Sequence, residues 1–346
     1  MATSELGDSL TKPHQLSETA QAEIARAFWN AKVEIRGRNS TLYFNHYCAQ
    51  CYHFNHRTEG RTGVKTHNDV ILVAQDINQG LARTEIVKKR ASDPADPEEI
   101  QQWNHAVDLV ARLMCMLDVG HPSLGGHSVH PEGEFIPWTD GSLAGLIASL
   151  PHFQRSDSLD GSQLTFTAHK LDTVAGLHVV WTTNLAHHLL LRGEDEVLIF
   201  NQVWFLKSLA CSKSPCLFPE GLVEETLRTL ALLFGSQPSN KIRRWYNRLL
   251  RLQYGEISSD GMTDDCIFEC GPVYRDIGEY RYWQKRLDVL EKRYRDRPSV
   301  SLKQLWNDRR DGIQWYFLWV SLGLTVFFGF VQSVEGALQV YKAFNE

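Results

Sequence analysis

The sequence predicts an α+β fold, mainly helical, with a small β element and one C-terminal transmembrane helix. Three observations support this prediction. Apolar residues recur with a helical period through several long segments. Two short runs, LHVVWT at 177–182 and VLIFN at 197–201, are rich in the residues that favour strands. Finally, the 19 residues of 313–331 contain no charged side chain.

The composition is that of a globular chain kept in a reducing compartment. Hydrophobic residues make up 43% of the 346 residues, enough for a sizeable core. The net charge of −5 argues against a protein dedicated to nucleic acid, although a local basic patch stays open. Seven cysteines, an odd number, indicate reduced cytosolic thiols. The first 20 residues hold no apolar run of signal-peptide length.

Helical spacing and capping residues define the individual helices. Asp96 is a good N-cap and Pro97 a good first residue for the clearest of them. TNLAHHLLL is expected to begin a helix capped by Thr183 or Asn184, between two strands that form a hairpin-like or two-strand element. Further helices are predicted over 18–32, 69–89, 219–235, 240–255 and 278–298.

These elements suggest six segments along the chain. A stretch with four glycines and three prolines at 121–141 is read as a loop or domain junction. The predicted segments are a mainly helical region at 1–120, the junction at 121–141, an α+β region with basic helices at 142–300, a juxtamembrane linker at 301–312, the transmembrane helix at 313–331 and a short tail at 332–346.

The apolar run at 313–331 has the length of a membrane span. As a helix it measures about 28 Å, close to the hydrocarbon thickness of a bilayer. The alternative is a buried core helix, but such helices usually carry a polar face. Arg297, Lys303, Arg309 and Arg310 precede the run and only Lys342 follows it, so the positive-inside rule leaves the N-terminal part in the cytosol. The sequence thus predicts a tail-anchored, single-pass protein of an intracellular membrane, with Arg309, Arg310, Trp315, Tyr316 and Trp319 flanking the lipid boundary.

A Cys-x₂-Cys motif lies among histidines in HYCAQCYHFNH. His46, Cys48, Cys51 and His53 have the residue types and the spacing of half a zinc site, although no second Cys-x₂-Cys completes it. The alternative is an ordinary strand with alternating Tyr43, Asn45 and Tyr47.

An acidic cluster and a basic patch are further candidates. Asp264, Asp265 and Glu269 could bind a divalent cation or a cationic substrate, or do acid–base work, or form a solvated turn. A basic patch interleaved with Trp245 and Tyr246 could bind RNA, lie on anionic lipid or face solvent. The patch consists of Lys241, Arg243, Arg244, Arg248 and Arg251.

Two blocks resemble a large family of predicted tail-anchored proteins of filamentous fungi. The first runs from LTFTAHKLDTVAGLHVVWTTNLAHHLLL to VLIFNQVWFLKSL, and the second joins YRDIGEYRYWQKRLDVL to the apolar run. Its most specific part is the pattern Thr183, Asn184, Leu185, His188 and Leu189 followed by the VLIF…FLKSL run. The likeness covers about residues 160–346 and implies a single C-terminal anchor, and the family is mostly uncharacterised and offers no activity to transfer.

A second resemblance concerns fungal arginine-containing cyclodipeptide synthases, which use an Asp-Asp-x-x-Glu motif and aminoacyl-tRNA. Here the spacing is Asp264-Asp265-x-x-x-Glu269, one residue longer. This resemblance would imply that the carboxylates bind the substrate's cation and that the basic helix meets tRNA.

Two functions follow from the sequence. The first is a membrane-anchored, partner-binding or regulatory protein, whose partners are the lipid bilayer and another protein. The alternative is a membrane-tethered biosynthetic enzyme that uses Asp264, Asp265 and Glu269.

Overall fold

The structure is a computed structural model that describes most of the chain. The described residues are 5–10, 16–30, 40–58, 61, 63–120, 135–156, 161–212, 217–254, 265–296 and 312–345. They contain twelve α-helices and three strands, so the predicted α+β class with a small β element and one C-terminal apolar helix is confirmed.

Among the described residues, five α-helices with full bounds precede residue 121. They are α1 (Glu18–Trp29), α2 (Thr41–Arg57), α3 (His67–Asn78), α4 (Arg83–Arg90) and α5 (Pro97–Cys115). The predicted cap of α5 is confirmed, since the Asp96 carboxylate accepts a 2.6 Å bond from the backbone N–H of Glu99. Thr66 and Asp69 form a capping box at the start of α3.

The single helix predicted over 69–89 is wrong, because α3 and α4 are separate. Gly80 lies between them with φ +76°, a left-handed conformation that ends a helix and that glycine adopts at little cost. A new helix then starts after Ala82, whose backbone N–H donates to the Glu85 side chain.

In the described part of the chain after residue 135 lie seven further α-helices and the sheet. The helices are α6 (Leu143–Ser149), α7 (Ala168–Thr173), α8 (Val203–Ala210), α9 (Leu222–Phe234), α10 (Asn240–Tyr254), α11 (Gln284–Asp296) and α12 (Gly312–Asn345). The strands are β1 (His178–Thr182), β2 (Leu190–Arg192) and β3 (Glu196–Phe200), in the order β1-β3-β2.

The two predicted strands β1 and β3 pair in parallel, with Val180 opposite Leu198, so they do not form a hairpin. The helix predicted from TNLAHHLLL is also wrong. Only one 3₁₀ turn, Leu185–His187, forms there, with Asn184 as its cap. Leu189 then takes φ +60°, which ends any right-handed helix, and β2 pairs antiparallel with β3.

One continuous hydrophobic core joins the two predicted regions on either side of 121–141. It extends from Leu6 to Tyr294. Trp29 of α1 lies at the junction, where its indole N–H donates to the carbonyl of Met114 at 2.9 Å. Its ring meets Trp204 and Phe205 of α8 edge-on, at 5.9 and 5.4 Å between centroids.

Buried carboxylates hold α11 against this core. Glu225 of α9 accepts hydrogen bonds of 2.8–2.9 Å from the backbone N–H groups of Arg281, Tyr282 and Trp283, directly before α11. Burial raises the pKa of Glu225, and these three donors oppose that shift. Glu291 accepts from both the backbone N–H and the hydroxyl of Thr165.

Candidate functional site

The first candidate is the exposed face of α10. Ser239 caps the helix directly before Asn240, since its carbonyl accepts from the backbone N–H of Arg243 and its hydroxyl oxygen accepts from that of Ile242 at 3.4 Å. Tyr246 and Leu250 are buried, and Ile242, Trp245 and Leu249 pack partly against the core. The helix is therefore fixed on one side and leaves the other side to solvent.

Four of the five predicted basic residues form one stripe on the solvent side. Lys241, Arg244, Arg248 and Arg251 are exposed and follow one another at spacings of three, four and three, which is one helix face. Arg243 lies away from the stripe, with its guanidinium carbon 5.4 Å from the centre of the Phe268 ring. The basic patch predicted from sequence is thus a four-cation stripe plus one cation that packs on the protein.

The two aromatic residues of this segment face inward. Trp245 donates its indole N–H to Asp172 at 2.7 Å, and its ring stacks at 6.4 Å from that of Phe234. Tyr246 is 1% exposed and contacts Trp181 and Phe268 edge-on. Neither ring is placed to stack on an unpaired base, which single-stranded RNA binding requires.

The second candidate is α12, which carries a candidate membrane span at Trp319–Leu338. This span begins six residues and ends seven residues after the predicted 313–331. None of this span is buried. Large apolar side chains are exposed all along it, among them Val320, Leu322, Leu324, Val326, Phe327, Phe328, Phe330, Val334 and Leu338. By length and composition, one described helix is thus able to cross a membrane.

Two hydroxyl groups of the span are satisfied within α12 itself. Thr325 donates to the Ser321 carbonyl and Ser333 donates to the Gly329 carbonyl, both at 2.8 Å. Such bonds to the preceding turn allow hydroxyl side chains in a hydrocarbon environment at small cost.

The predicted flanking residues are only partly within the described part of the chain. Arg309 and Arg310 lie outside the described residues, and Trp315 is helical. The Tyr316 side chain is 68% exposed on α12, and Trp319 opens the candidate span.

The Cys/His motif lies on α2, so the strand considered as its alternative is wrong. On a helix, Cys48 and Cys51 share one face, whereas His46 and His53 lie close to the opposite face. The helix therefore does not bring these four residues together around one ion, and within the described residues no group of three or more His, Cys, Asp or Glu side chains could hold a metal. Burial raises the pKa of Cys48 to about 11, which favours the neutral thiol.

The acidic cluster is described only in part. Asp264 lies outside the described residues, and Asp265 begins a 3₁₀ turn that ends at Glu269. The Glu269 side chain is 72% exposed, and its carboxylate lies 4.0 Å from the ammonium of Lys207. Glu269 is thus a surface carboxylate on the described side of the cluster.

A buried polar network at the carboxyl end of β1 escaped the sequence prediction. Asn184 donates to Asp118 at 2.8 Å, and Arg83 donates to Asp108 of α5 at 2.7 Å. Arg112, 7% exposed, donates to the Val119 carbonyl at 3.0 Å. Asp108 and Arg112 stand four residues apart inside an apolar run, and this pair of charges was the sequence signal that could have revealed the network.

Two further observations concern the surroundings of this network, namely a neighbouring histidine and a close glycine. Desolvation lowers the pKa of His46 to about 4, with Asp118 opposing and Arg112 adding to the shift. Gly120 has φ +95°, and a Cβ there would lie 2.2 Å from the Asp108 carboxyl carbon. The packing around Asp108 is therefore tight, as expected of a network that stabilises the fold.

His188, a specific residue of the fungal resemblance, is a core residue. It is fully buried, and its Nδ1 accepts from the backbone N–H of Phe200 at 3.2 Å. Its Nε2–H therefore donates to the Thr229 hydroxyl at 2.7 Å. Burial, with Arg286 acting in the same direction, lowers the pKa of His188 to about 3. The ring is neutral and both nitrogens are occupied.

Comparison with protein-family models, with curated proteins and with solved structures gave no match for this chain. The functional assignment is therefore built on the residues described above.

Proposed function

We propose that this protein is a single-pass membrane protein whose folded part, up to α11, is held at a membrane surface and binds a protein partner there. The observation that carries the proposal is the exposed apolar surface of α12, from Trp319 to Leu338. At 1.5 Å per residue these 20 residues measure about 30 Å, the hydrocarbon thickness of a bilayer.

The orientation of the helix follows from the charges on its two sides. Four basic residues lie within the segment before α12, and only Lys342 follows the candidate span. Basic flanks favour the cytosolic side, so the folded part would be cytosolic and the protein would sit in an intracellular membrane as a tail-anchored protein.

A binding or regulatory role is favoured because the buried ionisable groups serve the fold. Glu225 and Glu291 fasten α11, and His188 links β3 to α9. Reactive groups in active sites are usually left available to a substrate, whereas these have internal partners. The biosynthetic enzyme using Asp264, Asp265 and Glu269 stays a prediction from the sequence, and the described Glu269 adds no observation in its favour.

The membrane proposal is tested with two arginines in the middle of the span. In the full-length chain, Leu324→Arg with Phe328→Arg should turn a protein that resists alkaline carbonate extraction into one that is released. Each arginine costs about 2.5–3.5 kcal/mol at the centre of a membrane helix.

The matched control places the same two arginines on the folded part, at the exposed apolar positions Leu72 and Val289. This control variant should stay in the membrane fraction. Release of the unmodified protein by carbonate, or retention of the Leu324→Arg/Phe328→Arg variant, would contradict the proposal.

A further inference from the structure

We propose that the basic stripe of α10 docks on the anionic lipid headgroups of the same bilayer that α12 enters. The stripe is Lys241, Arg244, Arg248 and Arg251, with Leu252 beside it. The inference rests on the proposed membrane anchor and adds a second, reversible contact of stated lipid chemistry.

The four cations of the stripe have no partner among the described residues. The described part of the chain pairs other cations closely, as Arg83 with Asp108, Arg90 with Asp76 and Arg295 with Glu291. No ion pair or hydrogen bond of the described residues engages the stripe, and α10 contains no acidic residue. Its charges are therefore available to phosphate and carboxylate groups outside the protein.

Leu252 gives the stripe an apolar element. Its side chain is 71% exposed, more than any other large hydrophobic side chain of the described residues outside α12. It lies one helical turn beyond Arg248 and next to Arg251. Cations beside an exposed leucine on one face of an amphipathic helix are typical of elements that lie in the headgroup region of a bilayer.

The anchor keeps the stripe close to its ligand. Residues 297–311 separate α11 from α12, and a chain of this length spans at most about 55 Å. Tethering at such a distance replaces a bimolecular encounter with an intramolecular one, so a weak electrostatic contact becomes populated.

Lipid is favoured over nucleic acid because of where the aromatic rings lie. Trp245 and Tyr246, the rings interleaved with the basic residues, pack into the protein and are not placed for base stacking. An anionic membrane needs no such ring, since it is recognised by charge and a shallow apolar insertion.

The test uses photo-crosslinking in the full-length protein. Leu252→p-benzoylphenylalanine is reconstituted into vesicles of phosphatidylcholine alone or mixed with phosphatidylserine. We expect crosslinks to lipid mainly in the phosphatidylserine vesicles, falling with added salt. Each cation near such a surface contributes about a fivefold change in binding, so changing all four to glutamine should reduce the crosslinks at least fivefold.

Two controls make the result specific. Arg243→Gln removes one charge from the same helix but away from the stripe, and should leave the crosslinks unchanged. Leu72→p-benzoylphenylalanine places the probe on another exposed apolar residue, and should show no dependence on phosphatidylserine. An unchanged thermal unfolding midpoint shows that the glutamine variant is folded.

The outcomes separate this inference from the proposed anchor. Loss of carbonate resistance in the unmodified protein would overturn the anchor. Normal insertion with equal crosslinking in both lipids, or with the glutamine variant, would overturn the docking alone. Crosslinks to added RNA that replace those to lipid would also overturn it and assign the stripe to nucleic acid.

Discussion

Two apolar helical stretches of this molecule, in α5 and in α12, accommodate their polar side chains in opposite ways. In the second half of α5, all ten residues from Ala106 to Cys115 are buried, yet Asp108 and Arg112 are charged. In α12 the apolar span is exposed, and Glu335 is its only charged residue.

The difference lies in which part of the chain supplies the hydrogen-bond partners of these polar side chains. Around α5, neighbouring elements provide Arg83 for Asp108 and the Val119 carbonyl for Arg112. Within α12, Thr325 and Ser333 bond to the helix's own carbonyls. A helix packed in protein can keep charges because the fold brings partners to them, whereas a helix meant for lipid must satisfy its polar atoms alone.

The largest expected effect comes from removing a charge in α5. Asp108→Ala removes the carboxylate that offsets the positive charges of Arg83 and Arg112. Because these guanidinium groups are then left largely desolvated and less well paired, the free energy of unfolding should fall by about 3–5 kcal/mol. Urea denaturation of the detergent-solubilised protein, followed by tryptophan fluorescence, measures this. Gln101→Ala, on the exposed side of the same helix, should leave the unfolding midpoint unchanged. Equal midpoints for both variants would contradict this interpretation of α5.

A smaller effect is expected at His188, where the core admits a polar ring only in its neutral form. Its pKa is about 3 in the folded protein, against 6.5 for an ordinary histidine. Between these values the unfolded chain binds a proton that the folded chain does not, so stability rises with pH in this window and is lost on acidification. From about pH 7.5 to about pH 5, His188 should therefore lower the free energy of unfolding by about 2 kcal/mol.

His188→Gln isolates this contribution, because glutamine can still accept from Phe200 and donate to Thr229 without titrating. The loss of stability between the two pH values should be about 2 kcal/mol smaller in this variant than in the unmodified protein. The same pH dependence in both proteins would show that His188 is not the responsible group.

The smallest effect is expected for the hydroxyl groups of α12. Thr325→Ala and Ser333→Ala each remove a donor together with its need for an acceptor, so carbonate resistance should not change and no backbone group loses an essential partner. Release of either alanine variant from the membrane would mean that these hydroxyls bond to something outside their own helix.

Elements fixed by local chemistry could be predicted from the sequence. The Asp96 cap, the apolar runs of β1 and β3 and the length of the C-terminal apolar run depend on neighbouring residues alone. Gly80 was a sequence signal for the break between α3 and α4. It was overlooked because the apolar residues on either side of it keep helical spacing.

Features that depend on distant partners could not be predicted. The apolar Leu190 and Leu191 are compatible with a helix, and only pairing with Leu198 and Val197 of β3 makes them a strand. For the same reason, the sequence of α10 interleaves aromatic and basic residues, and only packing against Phe234 and Phe268 separates them into two faces. The Cys/His motif likewise has the spacing of a metal site, but on a helix its cysteines and its histidines lie on different faces.

The hydrogen bonds that hold α11 against the core have a mechanical consequence. Any pull on α12 reaches the folded part through Asp296, at the end of α11. The force would then act on the hydrogen bonds between Glu291 and Thr165. It would act next on the hydrogen bonds that the Glu225 carboxylate accepts from the backbone at 281–283. Tension on this end of the chain would therefore load the hydrogen bonds of α11 first.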